Sequence, residues 1–271
     1  MIAGYNSDKP RNENIEGISV HYLPVYYDNH LGFIQRVISF LKFIYQANKL
    51  ALRIQDIDLV YAMTTPLTVG LLALNIKRKR KIPFYFEVGD LWPEAAVQMG
   101  IIRNPVVKSL VYQLERKIYK ESEKILALSP GIRNYIAKAV PGKKVYVIPN
   151  MSDVYFFKPG DSTHEHLGKF VVSYFGAAGK ANHLEYLLEV AGLCQDHLPQ
   201  VHFRIMAYGS ELQRLQHLTV PTSITNLEFI PYGSKNDVKA LLNGSDAVYV
   251  SFANYEILNT GSPNKKITQT V

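Results

Sequence analysis

The chain has 271 residues, 47% of them apolar and 20% charged, proportions that exclude a disordered or fibrous polypeptide and leave room for one large or two ordinary domains. A single cysteine, Cys194, excludes an internal disulfide framework and fits a reducing cytoplasm, and no run of about eighteen apolar residues is present to span a bilayer. The formal charge of +7 is uneven: residues 1–168 hold 22 Lys and Arg against 15 Asp and Glu, whereas residues 169–271 hold 8 of each, so an anionic partner is expected for the first part alone.

Residues 1–20 are polar and mixed in charge, which argues against a secretory signal. From there, apolar runs rich in β-branched and aromatic residues alternate with stretches of helical spacing. Leu59–Met63, Pro83–Val88, Lys124–Leu128 and Lys144–Ile148 read as buried parallel strands. Phe33–Arg53, Pro66–Lys77, Val106–Lys120 and Gly131–Ala139 read as helices. The last has a start signal in Ser129-Pro130, a hydroxyl cap followed by proline at the first helical position.

Residues 158–168 have no apolar periodicity and read as a linker. A second series follows: strand Phe170–Phe175, helix Leu184–Gln195, strand His202–Ala207, helix Glu211–Leu218, strand Asn226–Ile230, helix Asn236–Leu242 and strand Asp246–Phe252. Cys194 falls in one of these helices, as a small buried apolar residue. Strands alternating with helices imply right-handed βαβ units and doubly wound sheets. The expected architecture is therefore two Rossmann-like domains, at 1–160 and 168–271. In such sheets ligands bind beyond the carboxyl ends of the strands.

Those ends carry the candidate chemistry. Gly89-Asp90-Leu91-Trp92-Pro93-Glu94 places two carboxylates and the one tryptophan after a strand; Asp90 reads either as a helix cap or as a site acid, and Trp92 as lid or core. Gly176-Ala177-Ala178-Gly179-Lys180 joins small residues, which let backbone approach a ligand, to a lysine suited to phosphate. Tyr208-Gly209-Ser210 reads the same way, and the aromatic of Pro231-Tyr232-Gly233-Ser234 suits a nucleotide base. Gly261-Ser262-Pro263-Asn264-Lys265 has the form of a helix start, whose free N–H groups and dipole favour an anion.

Read in order, Phe-Glu-Val-Gly-Asp-Leu-Trp-Pro-Glu at 86–94, Leu-Ser-Pro-Gly-Ile at 128–132, Val-Ile-Pro-Asn at 147–150 and Asn-Thr-Gly-Ser-Pro-Asn-Lys at 259–265 resemble family-four GT-B glycosyltransferases. The nearest subgroup is the WbuB-like enzymes of bacterial O-antigen and capsule assembly. The resemblance implies an α/β GT-B fold, an acceptor domain followed by a donor domain, and transfer with retention of anomeric configuration and without metal or cofactor. It implies a nucleotide-sugar donor and a lipid-linked or saccharide acceptor. Gly176, Lys180 and Gly209 are then expected at the donor diphosphate and Tyr232 near the base. Gly261, Ser262, Asn264 and Lys265 are expected to hold phosphate, and Asp90 and Glu94 to lie near the reacting sugar. Many relatives carry a histidine where Gly89 and Asp90 stand. Relatives also open with a strand and glycine-rich turn ahead of Ile2 and continue past Lys265 with an acid that grips ribose. A chain lacking its first strand, with an incomplete donor domain, is expected to be weak or inactive alone and to expose a sheet edge.

Phe33–Arg53, which interleaves apolar residues with Arg36, Lys42, Lys49 and Arg53, reads first as a core helix with a solvated far face and second as a helix docking on an anionic bilayer, while the basic excess as a whole, including Lys77–Lys81, reads as docking on an anionic membrane surface. Nucleic acid is not expected, since no binding motif accompanies the charge. The lack of a GxGxxG turn disfavours a dehydrogenase, the lack of Gly-x-Ser-x-Gly a hydrolase, and the lack of zinc-ligand spacing a metal site. The alternative to a transferase is a non-catalytic nucleotide- or membrane-binding module built on the same fold.

Overall fold

The computed structural model describes residues 1–27, 31–64, 66–158, 160, 168–219 and 224–254. It divides into two compact units, Met1–Asn150 and a second that starts at Met151.

Unit 1 opens with three strands that the polar composition of residues 1–20 had hidden. β1 (Ile2–Tyr5) pairs parallel with β3 (Ile18–Pro24), and β2 (Arg11–Ile15) pairs antiparallel with β3 through the turn at Glu16-Gly17. Residue Gly17 has φ +85°, the left-handed conformation that glycine adopts without penalty. β2 is exposed along its whole length, so it carries no apolar pattern to read.

Helix α1 (Phe33–Ala51) leads to a four-stranded parallel sheet of order β4-β5-β6-β7, namely Val60–Met63, Phe84–Val88, Lys124–Ala127 and Val145–Val147. Helices α2 (Val69–Arg80), α3 (Glu94–Gln98), α4 (Pro105–Glu121) and α5 (Pro130–Ala139) supply the crossovers. Ser129 caps α5, accepting from the Ile132 amide at 3.1 Å as its sequence signal required. Phe84, Phe86 and Val88 on β5, with Ile118, Tyr119, Ile125, Ile132 and Ile136, are fully buried and form the core.

Among the described residues, β1 pairs with β3 alone and β4 with β5 alone, so each three- or four-stranded sheet presents an open edge. Ile2 on β1 and Val60 on β4 nonetheless pack into one apolar cluster with Ala51, Ile76 and Ile82. The exposed Tyr61 and Met63 mark the β4 edge.

Unit 2 holds a parallel sheet of order β10-β9-β8-β11: Leu227–Ile230, Val201–Tyr208, Phe170–Ala177 and Ala247–Val248. The strand expected over Asp246–Phe252 is thus much shorter, two residues long. After it the chain leaves the ladder, and Ser251 and Ala253 bond instead to the loop that follows β8. Between β8 and β10 the chain moves outward through α6 (Glu185–His197) and α7 (Leu212–Thr219); then α8 (Lys235–Asn243) carries it back across to the far side of β8. Reversal of direction puts helices on both faces. Tyr174 and Ile205 pack under α6 and α7, whereas their neighbours Phe175 and Met206 pack under α8 with Phe157. Cys194 on α6 packs against the first of these clusters but is only partly buried, not the buried residue that its apolar helix suggested.

Phe157 belongs to the second unit for the same reason. Lys235 on α8 pairs with Asp153 at 2.7 Å and lies over the Phe156 ring at 4.3 Å, fastening residues 153–157 to unit 2. The chain therefore changes units at Asn150/Met151.

One expectation about α1 is corrected. Its far face is not polar: Ile34, Val37, Ile38, Leu41 and Tyr45 all stand exposed. The mixed apolar and basic sequence concealed two apolar stripes. One, with Phe43, Ala47 and Leu50, packs toward β3 and α2, and the other faces outward.

Candidate functional site

The order of the unit 2 sheet selects the place where a ligand fits. In doubly wound sheets ligands bind at the carboxyl ends of the strands where the winding reverses, which in unit 2 is the end of β8, flanked by β9 and β11. β8 ends in Gly176 and Ala177, and the loop beyond it runs through Ala178 and Gly179 into a short 3-10 turn, Lys180–Asn182. Both post-strand segments meet there. The Ala253 amide donates to the Ala181 carbonyl at 2.8 Å, the Ser251 hydroxyl donates to the Asn182 carbonyl, and the Tyr249 amide donates to Ser173 at 2.8 Å.

The neighbouring strand closes the other side. The Ala178 amide donates to the Tyr208 carbonyl at 2.6 Å and the Glu211 amide to the Ala178 carbonyl at 3.1 Å, so the loops after β8 and β9 are stitched together backbone to backbone. Gly176 and Gly209 both have φ +122°, a conformation open essentially to glycine alone. Beneath this, Arg214 pairs with Glu185 and, at 2.8 Å, with Glu211, tying the starts of α6 and α7 together. One strand further out, the exposed Tyr232 ring sits 4.5 Å from Tyr208 at 60°, leaving two phenols on the surface beside the loops.

Gly176, Lys180, Gly209 and Tyr232 therefore gather at one end of one sheet, and Lys180 is exposed there. Tyr208, from the segment already noted, joins them, and so do Asn182, Glu211 and Ser251, which no motif singled out. Only the strand order, which sets who stands beside whom, could have found them. Gly261, Ser262, Asn264 and Lys265 lie outside the described residues.

Unit 1 has its own strand-end loop. The Gly89 amide donates to the Thr64 hydroxyl at 2.9 Å, and the loop then carries Asp90 exposed at its tip. Asp90 does not cap a helix, since α3 starts behind Pro93. Trp92 packs partly buried against the core, the second of the two readings it had.

Glu94 turns the other way, toward α4. Its carboxylate accepts from Tyr112 Oη at 2.5 Å and from Gln98 Nε2 at 2.8 Å. Tyr112 is the edge of a buried acid–phenol cluster. Glu115, only 1% exposed, accepts from Tyr119 Oη at 3.0 Å and Tyr135 Oη at 3.4 Å. Burial pushes the Glu115 carboxyl up to about 7; hydrogen bonds from the two tyrosines oppose the shift, and the Glu94 charge adds to it. Burial likewise raises the Tyr112 and Tyr135 phenols above their ordinary range. A cavity of about 400 Å³ opens over the cluster between α4 and α5, with Arg116 and Lys138 in its walls. The sequence signal was present: Glu115 occupies the same helical face as the core residues Ile118 and Tyr119. Among the described residues no group of His, Cys, Asp and Glu is arranged to hold a metal ion, and no helix is long and apolar enough to cross a membrane.

Residues 2–151 match the glycosyl transferase 4-like domain. No curated protein matches the chain by sequence. Solved structures share its fold at low identity. Sucrose-phosphate synthase from Thermosynechococcus elongatus superposes with a TM-score of 0.70 at 13% identity, over 91% of this chain and 64% of its own. Anabaena HepE, solved with UDP and glucose, gives 0.63 at 16%, over 94% of this chain and 65% of its own. The α,α-trehalose 6-phosphate synthase of Burkholderia multivorans gives 0.64 at 12%, over 97% and 69%. These are GT-B glycosyltransferases, and the chain spans a little under two thirds of the first two.

Proposed function

Because the chain belongs to the glycosyl transferase 4-like family, we propose that it acts in transfer of a sugar from a nucleotide-sugar to an acceptor, with unit 2 holding the donor. The observation that carries this reading is the switch point of the unit 2 sheet, beside which two glycine-bearing loops and an exposed lysine converge. Cleavage of a glycosyl phosphate leaves negative charge on the departing phosphate. In a site without metal, fixed amide dipoles and ammonium groups must stabilise that charge, at about 3 kcal/mol of barrier per well-placed donor. Gly176 and Gly209 let backbone come close, and Lys180 supplies the cation. Tyr232, beside Tyr208, offers a face for the base, and a uridine nucleotide is the first to test because HepE binds one. Gly261, Ser262, Asn264 and Lys265 complete the phosphate grip in this reading.

Unit 1 takes the acceptor side and unit 2 the donor side. Asp90, exposed on the strand-end loop, and Glu94, which bonds Tyr112 and Gln98, are the acids offered to the reacting sugar in this reading. Retention of configuration, a place in O-antigen or capsule synthesis with the WbuB-like enzymes, and a lipid-linked or saccharide acceptor at an anionic membrane surface rest on the resemblance of the 86–94 and 259–265 segments. The test is transfer of labelled sugar from UDP-sugars to a bacterial lipid extract. Label in lipid that disappears in the Lys180→Ala variant supports transfer. Nucleotide binding with no label transferred under any donor favours the non-catalytic binding module instead.

A further inference from the structure

We propose that the outward face of α1 is a docking surface for an anionic lipid bilayer, a partner that extends the reading above by naming the face that meets it. Ile34, Ile38, Leu41 and Tyr45 follow one another at spacings of four, three and four, with Val37 three beyond Ile34 at their edge, so they form a single stripe about three turns long. All five are exposed, from 37% at Val37 to 72% at Ile34. The helix is held from behind: Phe43, Ala47 and Leu50 pack toward β3 and α2, and Asn75 Nδ2 donates to Asn48 Oδ1 at 2.6 Å. The stripe is thus presented on a fixed element, and nothing in unit 1 covers it among the described residues.

Charge selects the occupant. Between residues 31 and 55 the sequence has four cations, Arg36, Lys42, Lys49 and Arg53, and no acid. Lys42 lies one turn beyond Ile38 and Lys49 one turn beyond Tyr45, so both ammonium groups border the stripe and are exposed. At the end of α1, Arg80 donates to the Ala51 carbonyl at 3.0 Å and to the Ile54 carbonyl at 2.5 Å. The same last turn of α2 adds the exposed Arg78 and Lys79 to the basic residues of unit 1. An apolar stripe edged by lysines and free of acids is the pattern of a helix lying in the headgroup plane, its apolar residues among acyl chains and its cations at lipid phosphates. A protein partner of matching shape would need a long acidic rim, and a second copy of this chain would set these cations against each other.

Co-sedimentation of the whole chain with two vesicle types tests the proposal: pure phosphatidylcholine, and an equal mixture of phosphatidylcholine and phosphatidylglycerol. No sugar nucleotide enters the assay, so its outcome is separate from that of sugar transfer. Binding to the mixed vesicles is expected to exceed binding to the neutral ones by about tenfold or more. Lys42→Gln with Lys49→Gln should weaken it by roughly fivefold for each charge removed. Ile38→Gln with Leu41→Gln should abolish it, with the melting temperature unchanged because both side chains are outside the core. Leu110→Gln, an exposed apolar site on α4, should have no effect. In Tyr45→Trp the new indole should shift to shorter emission wavelength with mixed vesicles. Equal binding to both vesicle types, no binding to either, or a concentration-dependent dimer that Ile38→Gln with Leu41→Gln dissociates would each overturn the proposal.

Discussion

A methyl group placed on Gly209 would stand 2.8 Å from the carbonyl oxygen of Ala178. No ordinary Cβ contact is that close, and the obstacle is backbone, which cannot swing aside. The loops after β8 and β9 therefore reach their spacing only with glycine at this position, and those loops form the strand end assigned to the donor.

Gly209→Ala is accordingly expected to destabilise unit 2 by about 1–3 kcal/mol, the cost of a side chain in a glycine-only conformation. It should weaken nucleotide binding by tenfold or more. Thermal unfolding and calorimetric titration with UDP measure the two effects. A variant that melts and binds like the parent would show the loops to be more yielding than this contact implies.

Tyr232→Ala should weaken nucleotide affinity by up to about 1.5 kcal/mol, roughly tenfold, through loss of an aromatic face beside Tyr208. Tyr232→Phe should keep nearly all of it. Calorimetry separates stacking from hydrogen bonding by this pair, and an equal loss in both variants would contradict a stacking role.

Glu115 gives a pH dependence of definite sign. Its carboxyl titrates at about 7 in the fold against an ordinary value of 4.5, so the folded state binds the extra proton between those values. Stability from this group is complete below pH 4.5, falls as pH rises toward 7, and is flat above it, a total of roughly 3 kcal/mol. Glu115→Gln should remove that slope and be more stable than the parent at pH 8, with little difference at pH 4.5. Denaturant unfolding at the two pH values reads it out, and a parent slope retained in the variant would refute the assignment.

Phe157→Ala should cost unit 2 about 3 kcal/mol, since Phe157 packs with Phe175, Met206, Val238 and Leu241. Unit 1 unfolding should be unaffected. Equal loss in both units would mean that residues 153–157 are not fastened to unit 2 alone.

The repeating units from Leu59 onward were legible because buried parallel strands are short apolar runs and helices carry their own period. The three strands of residues 1–24 were not, because β2 is exposed throughout and its pairing is a matter of backbone rather than side-chain pattern. The site shows the same division. Gly176, Lys180 and Gly209 could be named from turn chemistry, but Asn182 and Ser251 come together only through the reversal of strand order around β8. Glu115 shares its helical face with Ile118 and Tyr119, a positional signal, but its type reads as an ordinary charged helix residue until burial is known.

Amide chemical-shift mapping of the chain during titration with UDP, ADP and GDP tests the donor assignment most directly. At least one nucleotide should perturb Ala178, Lys180, Asn182 and Gly209 together and leave Tyr112, Glu115 and Tyr135 unmoved. Perturbation confined to the cavity between α4 and α5, or none with any of the three, would contradict it.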